Sequence, residues 1–155
     1  MSTNVYIDAF NLYYGCLKGT PNRWLDLDLL CRLLLPSYAV NRIRYFTANV
    51  ESRPGDPGQQ QRQQAYLRAL LTIPNLSIHF GSFLTNAVRL PLVEPQPGLR
   101  RTVEVWRTEE KGSDVNLATH LLVDAFRGEY ETAVVISNDS DLKASRRCAQ
   151  SSASA

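Results

Sequence analysis

Apolar residues recur along this chain with two alternating periods. Short apolar runs give way to stretches with apolar positions three and four apart, then to runs again. Asn4 to Ala9 (NVYIDA) carries Val5, Tyr6 and Ile7 and is too short for a helix, so it predicts a buried strand. Leu25 to Leu35 places Leu27, Leu30 and Leu34 at helical spacing, with Asp26 and Asp28 early, where the helix dipole favours acids, and Pro36 as a stop. Arg42 to Val50 (RIRYFTANV) predicts a second strand. ESRPGDPG then holds two prolines and two glycines in eight residues, which predicts a loop. Gln59 to Thr72 predicts a helix, its glutamine run a solvated face.

Leu76 to Leu84 predicts a third strand. A Pro-rich stretch (LPLVEPQPGLRR) and an alternating segment, Thr102 to Arg107, predict an excursion from the main sheet. Lys111-Gly112-Ser113-Asp114 opens a helix with Ser113 as its N-cap. Its expected apolar face is Val115, Ala118, Leu122, Ala125 and Phe126, adjoined by Leu121, and Gly128 closes it. Thr132 to Ser137 (TAVVIS) is nearly all apolar, which predicts a strand in the middle of a parallel sheet covered on both faces. Strands alternating with helices make this an α/β fold with a mainly parallel central sheet. After Leu142 the chain (KASRRCAQSSASA) runs out of apolar residues. The expected organisation is therefore a domain over residues 1–142 and a partly helical to disordered tail over 143–155.

Composition narrows the class. At 155 residues and 44% apolar content, one domain with a real core is expected. Three cysteines, Cys16, Cys31 and Cys148, form no paired spacing and suggest neither a disulfide framework nor a zinc site. No stretch is long and apolar enough to span a membrane, and no basic-then-apolar leader opens the chain, so a cytoplasmic setting is the default expectation. The net charge of +2 is too mild to announce nucleic acid by itself. Four aspartates that would share one site change that picture. Setting them aside leaves 17 basic residues against 11 acidic ones elsewhere.

Those aspartates fall at meaningful places. Ligands in open α/β sheets bind beyond the carboxyl ends of the strands. Asp8 ends the first strand. Asn138, Asp139 and Asp141 follow the last one. Asp114 begins the helix that leads into it, and a helix antiparallel to the strands starts at their carboxyl edge. Two carboxylates about 4 Å apart repel by roughly 1 kcal/mol in water and about 4 kcal/mol at an effective dielectric of 20. A crowd of them recruits a cation, and oxygen-only ligands select hard ions, Mg²⁺ or Mn²⁺. Each acid alone also has a structural reading, as a turn residue, a first-turn acid or a helix cap.

Three segments carry a resemblance. YIDAFNLYYG, EKGSDVNLATHLL and VVISNDSDL resemble, in order, the signature segments of the NYN domain family, a branch of the PIN-like nucleases, over residues Asn4 to Leu142. The resemblance implies a Rossmann-like, three-layer domain, here truncated at the C-terminus. It also implies magnesium-dependent hydrolysis of RNA phosphodiesters to 5′-phosphate and 3′-hydroxyl ends. Asp8, Asp114, Asp139 and Asp141 match the acidic positions and would be the metal ligands. Asn11 and Asn138 would join them as catalytic polar groups, while Lys111, Ser113 and Ser137 would contact substrate. Relatives often carry a further acid where this chain has His120, and they usually continue into at least one more strand.

The expected partner is single-stranded RNA, gripped by Arg53, Arg89, Arg100, Arg101 and Arg107, with Tyr13, Tyr14 and Trp106 as stacking platforms. Glu109 and Glu110 are spare acids beside the site. An uncovered sheet edge would leave a homodimer open. Two other readings compete. A non-catalytic RNA-binding or assembly module would keep the scaffold and cut little. A magnesium phosphatase would need a DxD pair directly after the first strand, where this chain has DAFN.

Overall fold

The computed structural model describes residues 2–52, 55–94, 98 and 100–138. Six strands and four α-helices alternate in this part of the chain: β1 (Ser2–Asp8), α1 (Ala9–Leu12), α2 (Leu27–Leu34), β2 (Ala39–Thr47), α3 (Gln59–Leu70), β3 (Leu76–Phe80), β4 (Ser82–Pro91), β5 (Thr102–Lys111), α4 (Ser113–Phe126) and β6 (Thr132–Ile136). A π-helix, Tyr13–Leu17, continues α1. The tail after Leu142, and with it the expected domain boundary and the C-terminal ending, lies outside the described residues, as do Asp139 and Asp141.

Four strands form a parallel sheet in the order β3-β2-β1-β6. β1 pairs with β2 on one side (Asp8 opposite Phe46) and β6 on the other (Ile7 opposite Ile136). Helices cover both faces, because alternate strand residues bury on opposite sides. Val5, Ile7, Ile43 and Tyr45 pack against Leu12 and Leu17, against Leu27 and Cys31 of α2, and against Leu67 and Leu70 of α3. Tyr6 and Phe46 face the other way, onto Leu117 and Leu121 of α4 and onto Tyr130. The three-layer Rossmann-like, PIN-like arrangement is therefore present.

The expectations about individual elements need three corrections. First, the run from Leu76 to Leu84 is not one strand. It breaks at Gly81, after which β4 and β5 leave the sheet as a long antiparallel hairpin of their own. A Cβ at position 81 would collide with the Glu110 carboxylate and would lie 2.7 Å from the Lys111 carbonyl oxygen and 2.9 Å from the Ser113 nitrogen. Only glycine lets the chain leave the sheet this close to the start of α4.

Second, β6 is not central in the described sheet. Among the described residues it is the strand at one edge, and its residues are half-buried; β1 is the buried centre.

Third, the buried face of α4 is Leu117, Leu121 and Asp124, whereas Val115 is 64% and Phe126 72% exposed. The spacing i, i+4, i+7 is helical, but its third member is a carboxylate, so apolar residues alone put the face in the wrong place. Asp124 is buried because Arg44 of β2 grips both its oxygens, Nε to Oδ2 at 2.8 Å and Nη2 to Oδ1 at 2.9 Å, and the Tyr6 hydroxyl donates to Oδ2 at 2.7 Å. A buried charge held by this many donors is tolerable; the same charge without them is not. The same burial, with the Asp124 carboxylate alongside, pushes the Tyr6 hydroxyl pKa well above its usual value.

Candidate functional site at the carboxyl edge of the sheet

β1 ends at the sheet's carboxyl edge, and Asp8 is its last residue. The chain turns there directly into α1, and Asp8 caps it: Oδ1 accepts from the Asn11 backbone N–H at 3.1 Å. The Asn11 side-chain amide donates to Oδ2, and Ser137, just past β6, donates its hydroxyl to the same oxygen at 3.3 Å. Asp8 is buried, and three donors, two from Asn11 of α1 and one from Ser137 past β6, fix its orientation.

α4 begins at the same edge. Ser113 was the expected N-cap; the N-cap is instead Gly112, in the left-handed region at φ +94°. Gly112 has no side chain to satisfy the first amides, and Glu110 does so from two residues upstream. Its Oε1 accepts from the Ser113 N–H at 3.0 Å, and its Oε2 accepts from the Ser113 hydroxyl at 2.8 Å. Asp114 follows in the first turn, where the helix dipole favours an anion.

These groups meet in one cleft of about 470 Å³. Asp8, Asn11, Ser113, Asp114 and Glu110 line it, together with Glu51 from the loop after β2. That loop is held by α3: Gln63 accepts from the Val50 N–H at 2.9 Å and donates to the Ala48 carbonyl at 2.8 Å. The glutamine run, read as a solvated face, thus supplies a clasp for one cleft wall. Phe83 and Thr85 of the hairpin close the opposite side.

Other expected site residues lie elsewhere. Lys111 does not line the cleft; its ammonium pairs with Glu109 at 2.9 Å, and Glu109 also pairs with Arg107 along β5. Those two cations hold the Glu109 carboxyl below its usual pKa. Arg89 pairs with Glu104 on the hairpin, and Trp106 stands there 77% exposed. Asn138 is exposed beyond β6. His120 packs against His79, with ring centroids 4.2 Å apart, and against Phe46. Arg53 and Cys148 lie outside the described residues.

The donors that face the cleft are carboxylate and amide oxygens, the chemistry of a hard divalent ion. Among the described residues, no three Asp, Glu, His or Cys side chains stand close enough to hold one unaided. The sequence supplies further carboxylates at Asp139 and Asp141, next along the chain from Asn138. Glu51 and the capping role of Glu110 were not foreseen. Glu51 carried one usable signal, an acid soon after a strand at the carboxyl edge.

The family model for the NYN domain matches residues 2–154. The chain belongs to the NYN domain family. The match continues through 143–154, which the three signature segments do not reach. NYN membership fits the nuclease-like fold described above and the placement of acids at its edge. A curated relative, 6-hydroxy-3-succinoylpyridine 3-monooxygenase HspA from Pseudomonas putida (strain DSM 28022 / S16), is 34% identical over 166 residues. That similarity covers 92% of this NYN chain and 53% of the relative, so the chain spans about half the relative's length. No solved structure matches. Among the described residues, no helix is long and apolar enough to cross a membrane.

Proposed function

We propose that this NYN domain is a metal-dependent ribonuclease that hydrolyses phosphodiester bonds of single-stranded RNA. The observation that supports it most is that Asp8, ending the central strand, and Asp114, opening α4, line one cleft. Asp8 and Asp114 would hold Mg²⁺ or Mn²⁺ together with Asp139, and Asp141 would hold it directly or through water. When bound, such an ion lowers the pKa of its water and neutralises charge on the scissile phosphate.

The protein's own groups have separate tasks. Asn11 and Ser137 donate to Asp8 Oδ2 and fix the carboxylate where it lines the cleft. Glu110 fixes the first turn of α4 and so the position of Asp114. Asn138, exposed at the strand end, would orient water or phosphate. Ser113 spends its hydroxyl on Glu110, which leaves any substrate contact to the helix amides. Lys111, off the cleft and paired with Glu109, would contact a substrate phosphate only by leaving that pair.

A second reading comes from the relative's name, that of an oxygenase acting on a hydroxylated pyridine. A third keeps RNA binding without cleavage. One assay separates them: labelled single-stranded RNA incubated with Mg²⁺, Mn²⁺ or EDTA. Cleavage in either metal and none in EDTA is expected. Bound but intact RNA would favour the binding module. No binding, with 6-hydroxy-3-succinoylpyridine consumed in the presence of O₂ and a reductant, would favour the oxygenase.

A further inference from the structure

Beside the carboxylate cleft lies a second cleft of about 540 Å³, a volume suited to a small ligand. The two share a wall of Phe10, Tyr14, Val50 and Gln59. The second differs in kind, being walled by tyrosines and a tryptophan. Tyr13 and Tyr14 come from the π-helix, where Lys18 N–H bonds back five residues to the Tyr13 carbonyl at 2.7 Å. Such turns often mark functional positions. Trp24 lines the same cleft, its ring edge-on to Tyr66 at 6.1 Å. The Tyr66 hydroxyl donates to the Leu25 carbonyl at 2.7 Å, so the rings supporting Trp24 are fixed in advance.

Tyr14 and Trp24 are about half exposed, at 52% and 49%. Both line one cleft, and a contiguous exposed aromatic patch is the kind of surface that marks a binding site. Cations join them. Arg23 lines the cleft and makes no ion pair among the described residues, and the Lys18 ammonium sits 4.9 Å from the centre of the Tyr14 ring. Aromatic rings with positive charge over and beside them suit a planar ring that carries an anionic group.

We infer that this aromatic cleft is a base-binding subsite: it stacks an unpaired nucleobase of the RNA strand on the exposed Trp24 ring, with Tyr14 lining the same cleft and Arg23 on a flanking phosphate. The inference rests on the reading of RNA as the ligand of the adjoining cleft. The shared wall favours a polymer over a free ring, because a strand lying in the carboxylate cleft runs directly into the second.

The test is fluorescence anisotropy of a labelled single-stranded RNA octamer in EDTA, where nothing is cut. Trp24→Ala should weaken binding roughly tenfold, the usual scale for loss of one stacking partner. Tyr14→Leu, at an exposed position, should act in the same direction. Arg23→Ala should reduce the salt dependence of binding. An octamer made abasic throughout should bind wild type and Trp24→Ala equally. Unchanged affinity in both Trp24→Ala and Tyr14→Leu, with both variants folded, would overturn the inference. So would displacement of Trp24-dependent binding by free nicotinate at lower concentration than by adenosine monophosphate, since the site would then belong to a small aromatic acid. Cleavage in Mg²⁺ is scored separately. Lost stacking effects with cleavage intact would sink only the subsite; intact stacking effects without cleavage would sink only the nuclease reading.

Discussion

Asp8 carries two loads that are separable by substitution. Its Oδ1 caps α1 through the Asn11 N–H, which an amide oxygen can also do, while its charge faces the cleft. Asp8→Asn should therefore keep the cap and fold, at a cost of about 1–3 kcal/mol because its NH2 would meet the Asn11 and Ser137 donors that Oδ2 now accepts from, yet lose at least 100-fold in cleavage rate, on the order of what one electrostatic group contributes. Thermal melts beside the rate would check both halves. Gly81 offers the opposite case, a residue with no chemistry of its own. Gly81→Ala would push its Cβ into Glu110 and the start of α4. It should lower stability by about 1–3 kcal/mol, the usual cost of overpacking, and disturb Asp114 as well. Urea denaturation of the variant checks the first effect. A variant as stable as the parent would show that both Glu110 and the Lys111–Ser113 backbone can move aside.

Elements tell the same story through packing. Leu117→Ala should cost about 2–5 kcal/mol, as deletions of buried leucine do, whereas Val115→Ala should stay within about 0.5 kcal/mol. The order would reverse if the helix face were the one its apolar residues suggest. Asp124→Ala should cost about 3–5 kcal/mol by leaving Arg44 buried without its partner. These contrasts show what was legible in the sequence. The strand and helix order could be read because Val5 to Ile7, Arg42 to Phe46 and Val134 to Ile136 each have one dominant pattern. The face of α4 could not, because Asp124 is polar by type and buried only by virtue of Arg44 and Tyr6, far away in sequence. Nor could the break at Gly81, since the residues on either side of it both read as strand. Asp8 and Asp114 were legible as a site because both mark the ends of elements. Trp24 was not, lying in a turn whose position against Tyr66 only the fold supplies.

For the whole molecule, the polar network beneath the sheet predicts a pH dependence. His79 stacks on Phe46, lies 3.2 Å from Arg44 Nη1 and 3.0 Å from the Ser77 hydroxyl, and touches His120. Burial chiefly, then His120 and Arg44, push its pKa down to about 4, against a partial pull upward from Asp124. Burial first, then Arg44 and Arg42, lower His120, against a pull upward from Asp124. The unfolded chain thus binds more protons than the folded one between about pH 4 and 6.5, and stability should fall as pH drops through that window. Denaturant midpoints at pH 7, 6 and 5 check this, and His79→Leu should flatten the slope.

The central claim, that carboxylates at one edge of the sheet hold a divalent ion for cutting RNA, has one direct measurement: the rate of single-stranded RNA cleavage in Mg²⁺ by wild type, Asp8→Asn and Asp114→Asn, with folding matched by circular dichroism. Metal-dependent cleavage by wild type, lost in both variants, is the expected result. Equal rates in all three, or none in wild type while RNA still binds, would contradict it.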